Sequence, residues 1–330
     1  MFKSLCRMAT LSAGLAFAVA TTVATPGHAQ TWPSKPIKFI VPTPAGGSPD
    51  IISRLLATEL QKQLGQPVVV DNRPGAGGSI GMNAIARSAP DGYTIGYGNV
   101  NTLAINRTLF KKLPYDVDRQ IAPVAQFSAT SNLLVVRPTL EVKDLQELLA
   151  YIRKQPPGTV SGASPGVGTT GHMSLALFEQ LAGVKINHIP YQGSSAAYQD
   201  LIGNRVDLMF DNIGPLSTFV KAGTLKALGY TAEKRSALFP DIPTMQEAGV
   251  KDFLMSAWGG VVVPADTPKD IIQRLNKEIN IAMKGKNMTE AFAKIGNTTV
   301  DGSAEDFARF IRAETDKWAV VVKHTGASLD

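Results

Sequence analysis

From Ile37 onward, short runs of β-branched and apolar residues alternate with longer stretches whose apolar positions recur about every 3.6 residues. The short runs predict strands over 37–41, 68–71, 94–97, 159–163, 186–190 and 206–210. Their near-continuous apolar character suits strands covered on both faces, as in a parallel sheet with crossover helices, so the predicted class is α/β. Ile52, Leu55, Leu56 and Leu60 predict a helix that Ser48 caps, with Pro49 at its first position and a stop near Gly65. Further helices are predicted over 170–182, ahead of Gly183, and from Ser194 or Ser195 to about Gly203. Another opens at Thr267-Pro268, and Ser303 to Asp306 reads as a capping box for a terminal helix.

The loops that follow the strands are alike: each is small, polar and rich in glycine. They occupy 42–50, 72–79, 98–102, 164–172, 191–195 and 211–215. In open parallel sheets ligands bind outside the carboxyl ends of the strands. Several of these loops also open a helix, so free backbone N–H groups and the positive end of the helix dipole face outward, an arrangement suited to a carboxylate or phosphate. Three loops precede the long strand-like segment 124–136 and three follow it, which predicts one sheet per lobe and a cleft between lobes. The apolar run 256–263 carries the chain back. The expected division is therefore a discontinuous first lobe of residues 30–128 and 255–330 around a second lobe of 129–254.

The amino terminus changes the compartment. Lys3 and Arg7, an apolar run from Leu11 to Val23, and small residues before Ala29 form an export signal with a cut expected after Ala29. Interrupted by Ser, Gly and Thr, the run falls short of the roughly 20 apolar residues that span a bilayer. Cys6 is the one cysteine and precedes the apolar run, so the mature chain has neither a lipidation site nor a disulfide; stability must come from a core. Removing Lys3 and Arg7 leaves 31 basic against 27 acidic residues, and the formal charge falls from +6 to +4. No basic run remains to engage nucleic acid, while a mild positive balance suits attraction of anionic solutes.

Gly162-Ala163-Ser164-Pro165-Gly166 has the spacing of a hydrolase nucleophile elbow between a strand and a helix. The residue after such a serine donates its N–H to the oxyanion, and Pro165 has none. Gly75-Ala76-Gly77-Gly78-Ser79-Ile80 lacks the third glycine of a dinucleotide loop, so its glycines serve tight turns and close approach to a ligand. His172, His188 and His324 show no paired spacing and the carboxylates are scattered, so no metal site or cofactor is expected. Asp50 sits in the first turn of its helix, where it either stabilises the dipole or meets a ligand. Asp211 ends a strand at the cleft mouth, where it either meets a ligand or fixes its loop through local backbone hydrogen bonds; His172 reads as a packing or backbone-bonding residue, and Tyr191 either closes over a ligand or forms a core edge.

Val-Pro-Thr-Pro-Ala-Gly-Gly-Ser-Pro-Asp, Asp-Asn-Arg-Pro-Gly-Ala-Gly-Gly, Ala-Pro-Asp-Gly-Tyr-Thr, Gly-Val-Gly-Thr-Thr-Gly-His, His-Ile-Pro-Tyr-Gln-Gly, Val-Asp-Leu-Met-Phe-Asp and Pro-Asp-Ile-Pro-Thr-Met-Gln-Glu-Ala-Gly are spread along the mature chain between residues 41 and 249. In these the sequence resembles the substrate-binding receptors of tripartite tricarboxylate transporters, the TctC or Bug-type periplasmic proteins. The resemblance implies a type II periplasmic-binding-protein fold of two lobes, with a carboxylate held largely by backbone N–H groups and ordered waters. By position it nominates Thr43, Ala45, Gly46, Ser48 and Asp50, then Gly75, Ala76 and Asn101, from the first lobe. From the second it nominates Ser164, Gly168, Thr169, Thr170, Tyr191 and Asp211. Many relatives carry an aromatic at the position of Thr43, so a roomier or more polar site is expected here.

The expectation is a monomeric, non-enzymatic periplasmic receptor that closes on a small carboxylate, whether a di- or tricarboxylate, an amino acid or an aromatic acid. It would deliver that ligand to membrane transporter subunits. A ligand sensor for a membrane signalling partner and a hydrolase using Ser164 are the alternatives.

Overall fold

The computed structural model describes residues 32–329, so the export-signal reading falls outside the described residues. Ten strands occur in order: β1 (Ile37–Val41), β2 (Val68–Asn72), β3 (Thr94–Asn99), β4 (Ile121–Val136), β5 (Ser161–Ser164), β6 (Asn187–Pro190), β7 (Leu208–Asn212), β8 (Lys226–Tyr230), β9 (Ser256–Pro264) and β10 (Asn297–Thr299). Among them lie α1 (Ser48–Leu64), α2 (Ser79–Ala86), α3 (Asn106–Leu109), α4 (Val117–Gln120), α5 (Leu145–Lys154), α6 (Thr170–Ala182), α7 (Ser194–Ile202) and α8 (Ile213–Lys221). The chain ends with α9 (Lys269–Lys284), α10 (Lys286–Lys294) and α11 (Ala304–Thr325).

The strands run in the order β2-β1-β3-β9-β4-β7-β5-β6, with β8 and β10 both paired to β4. The βαβ pairs are parallel: β1 lies between β2 and β3, and β5 between β6 and β7. The long strand β4 is antiparallel to all its neighbours. Its first part, Ile121 to Ser131, pairs with β9, and its last part, Asn132 to Val136, pairs with β7. One strand thus serves two βαβ systems, and the sheet is mixed where the apolar pattern alone predicts parallel pairing. The antiparallel steps arise because β4 and β9 are passages of the chain between the two halves.

Packing follows the periodicity. Ile52, Leu56, Leu60 and Leu64 recur every four residues on α1, are all buried, and join Ile37, Phe39 and Val41 of β1 with Ile271, Leu275 and Ile279 of α9 in one apolar cluster. Burying side chains of this size contributes about 1.5–3 kcal/mol each. The helix ends at Gly65, whose φ of 69° suits glycine and whose N–H bonds the Gln61 carbonyl. Its start differs from the expected cap: Gly47 is the cap residue, and Ser48 is already the first helical residue with no side-chain cap present. The capping box of Ser303 and Asp306 on α11 forms as the sequence implies.

Candidate functional site

A cavity of about 320 Å³ opens where the two halves of the sheet meet, at the carboxyl ends of β1, β3, β5 and β7. One wall consists of the 43–49 loop with Tyr97, Asn99, Asn101 and Ser128. The other consists of Pro165, Thr169, Thr170, Gly193, Ser194, Ser195, Tyr198, Asp211 and Asn212. Trp258 and Ala257 of β9 also line it.

Four helices begin at this cavity: α1, α6, α7 and α8. On α6 the Thr169 hydroxyl caps the His172 N–H. The caps of α1, α7 and α8 are Gly47, Gly193 and Asn212, none of which supplies a side-chain acceptor. Three helix starts therefore meet the cavity with their first N–H groups free of a side-chain cap, and each carries positive partial charge. No Lys, Arg or His lines the cavity among the described residues. The arrangement can take an anion through neutral dipoles without a guanidinium clamp.

Asp211 is the one carboxylate of the lining and is 4 % exposed. Tyr198 donates its hydroxyl to Oδ2 at 2.5 Å, and the Asn212 N–H donates to Oδ1 at 2.8 Å. Burial pushes its carboxyl above the usual range, against hydrogen bonds from Ser194, Tyr198 and Asn212 that pull it back. Thr43 Oγ1 and Asn212 Oδ1 are buried, line the cavity and have no hydrogen-bond partner. The two residues stand on opposite walls of the cavity.

Close approach shapes the floor. A Cβ on Gly259 would lie 2.1 Å from the Tyr97 hydroxyl, so only glycine lets that ring lie against β9. A Cβ on Gly171 would lie 2.4 Å from the Phe210 carbonyl oxygen, so the first turn of α6 sits directly on β7. Trp258 is anchored by its Nε1–H to Glu314 at 2.8 Å and packs edge-on against Phe307 and Phe310.

Of the residues expected from the sequence, the cavity gathers Thr43, Ala45, Gly46, Ser48, Asn101, Thr169, Thr170 and Asp211. Six lie outside its lining, each for a structural reason. Asp50 is buried beneath the first loop, accepting the Gly46 N–H at 2.9 Å, Arg54 Nε at 2.9 Å and Asn72 Nδ2 at 3.0 Å. Burial opposes its ionisation, but the Arg54, Gly46 and Asn72 bonds outweigh this and hold its carboxyl below the usual range. Asn72 also donates to the Thr43 carbonyl at 3.1 Å, so the pair braces the loop.

Gly75 and Ala76 form a left-handed turn, with φ of 118° and 45°, tied to α3 through Asn106 and the Gly77 carbonyl. Tyr191 points its hydroxyl at Asp200, 2.8 Å away. Ser164 is fully buried behind its loop, with Oγ 2.6 Å from His188 Nε2, and Gly168 gives its N–H to His172 Nδ1 at 3.1 Å.

Sequence reasoning did not single out Tyr97, Asn99, Ser128, Gly193, Ser194, Ser195, Tyr198, Asn212 or Trp258 as lining residues. Ser194 and Ser195 lie in a loop already marked by its composition, and Tyr97 ends a predicted strand. Ser128 and Trp258 belong to the crossing strands β4 and β9, which carry no loop signature.

A sequence profile described as the tripartite tricarboxylate transporter family receptor matches residues 52–327. The chain is 40 % identical to protein BugT of Bordetella pertussis over 98 % of this chain and 99 % of that protein. The R. palustris protein Rpa4515 with adipate superposes with a TM-score of 0.87 at 33 % identity, over 90 % of this chain and 100 % of that one. MatC from Rhodopseudomonas palustris with bound malate gives 0.81 at 31 %, over 88 % and 99 %. The periplasmic binding protein BugD gives 0.83 at 30 %, over 90 % and 99 %.

Proposed function

The chain belongs to the tripartite tricarboxylate transporter receptor family, whose members are substrate-binding receptors and not enzymes, and from that premise we propose that its cavity captures a small carboxylate in the periplasm. The observation that carries this reading is the convergence of the uncapped starts of α1, α7 and α8 on a cavity with no basic side chain. Such a site suits a carboxylate, whose charge the dipoles meet without the desolvation cost of a buried cation. The relatives bound to adipate and malate agree with it.

The wall residues divide between the two βαβ systems, so residues 30–128 with 255–330 and residues 129–254 act as lobes that close by hinge motion at the β4 and β9 crossings. The protein works as a monomer and hands its ligand to membrane transporter subunits, after export through a signal cut after Ala29. A hydrolase built on Ser164 is disfavoured: its hydroxyl is buried, and Pro165 supplies no oxyanion donor.

A thermal-shift screen of residues 30–330 against mono-, di- and tricarboxylates, amino acids and aromatic acids, each beside its uncharged amide, tests the reading. A ligand at 100 times its Kd stabilises by about 2.7 kcal/mol. Stabilisation by acids and not by amides is expected; no response to any acid by ligand-free protein would overturn it.

A further inference from the structure

Behind the loop that presents Pro165 and Thr169 to the cavity, two imidazoles stack face to face: the rings of His172 and His188 lie 4.0 Å apart with 9° between their planes. Each ring holds a different part of that loop. His172 Nδ1 accepts the Gly168 N–H at 3.1 Å, and His188 Nε2 shares a hydrogen bond of 2.6 Å with Ser164 Oγ. Ser164 Oγ in turn bonds the backbone of Gly166, donating to its carbonyl at 3.1 Å and accepting its N–H at 3.2 Å. That same carbonyl accepts the Thr169 hydroxyl at 2.7 Å, the hydroxyl that caps α6. On their other side the rings line an outer groove of about 840 Å³ along α6, beside Arg153, Glu179 and Lys185. No atom of either ring lines the ligand cavity.

We infer that His172, His188 and Ser164 are positioning residues for the ligand, a truss that fixes the 165–169 loop in its binding conformation from behind. The inference rests on the reading that the cavity holds the ligand. It requires a specific protonation pattern: a nitrogen that accepts a backbone N–H carries no proton, so His172 is neutral and has its proton on Nε2. Burial acts in the same direction on both rings, and the neighbouring ring adds to it at His172. The Gly168 bond is lost if His172 Nδ1 takes a proton, whereas the Ser164 bond is held by His188 with Nε2 as donor or as acceptor.

Two substitutions at one position separate the bond from the ring. His172→Phe keeps a stacked ring and loses the acceptor; His172→Asn loses the ring and keeps an oxygen where Nδ1 stands. Hydrogen exchange at the Gly168 amide is followed without ligand, and calorimetry uses whichever of malate, adipate, glutamate and benzoate binds the parent protein most tightly. The Phe variant is expected to exchange Gly168 at least tenfold faster and to bind at least tenfold more weakly, while the Asn variant recovers most of both. Unchanged exchange and affinity in a folded Phe variant would overturn the inference. If that variant does not fold, Ser164→Ala replaces it, with Gly166 exchange as readout and the same two outcomes. A parent protein that binds none of the four acids counts against the carboxylate reading, while the exchange comparison still decides whether the truss exists.

Discussion

Asp211 sets the electrostatic character of the cavity, because it is the one ionisable carboxyl among otherwise uncharged lining residues. Burial pushes its carboxyl above the usual range; wherever the pH leaves it ionised it stands as a negative charge beside an anionic ligand, and at an effective dielectric near 20 two charges about 7 Å apart repel by about 2 kcal/mol. Asp211→Asn is therefore expected to tighten a dicarboxylate about tenfold relative to a monocarboxylate of equal length, measured by calorimetry. An unchanged ratio would remove Asp211 from ligand selection. The imidazoles give a second residue-scale expectation. His172 titrates at about 3 in the folded protein, against 6.5 when exposed, because of burial and the adjacent His188. The unfolded chain therefore binds the proton first as pH falls, and stability drops by about 1.4 kcal/mol per unit once pH is below 6.5. Between pH 7 and pH 5, where most carboxylates remain ionised, His172 should cost about 2 kcal/mol of stability. Urea midpoints at the two pH values should show a smaller loss in His172→Asn than in the parent.

Elements were legible in the sequence where a period and a punctuation residue coincided. Strand β1 and helix α6 match their predicted bounds, because an unbroken apolar run and a terminal Gly183 leave little freedom. Strands β8 and β10 carried no such signal: each is short and held as an edge partner of β4, a tertiary effect. Eight cavity residues were legible because their loops announce themselves by composition and the resemblance to the receptor family nominates positions within them. Ser128 and Trp258 were not, because crossing strands reach the site through topology alone. The burial of Ser164 and Gly168 behind their loop was equally invisible, since a motif does not say which face of the turn its side chains take. At this scale the contact of α6 with β7 is testable. Gly171→Ala would press a methyl against the Phe210 carbonyl, and overpacking of this kind costs about 1–3 kcal/mol. Thermal unfolding should show that loss together with weaker ligand binding, since Thr169 and Thr170 move with the helix start. Full stability and affinity would mean that the contact relaxes freely.

At the scale of the whole molecule, the two βαβ systems communicate through β4 and β9, which pair with each other along nine residue positions of register. Two breaks in that register, at Pro123/Ala125 and Gln126/Ser128, lie on the first-half side of the crossing. Closure about these crossings should lower the radius of gyration in solution scattering when a carboxylate is added and leave it unchanged with the matching amide. The central claim is narrower than closure: a carboxylate sits against the backbone N–H groups at the starts of α1, α7 and α8. Amide resonances of Gly47, Ser48, Ser194, Ser195 and Gly214 in isotopically labelled protein, titrated with the best acid and then with its amide, test it most directly. The account predicts large saturable shifts at these amides with the acid alone. Saturable binding that moves only amides elsewhere, such as those along the outer groove of α6, would contradict it.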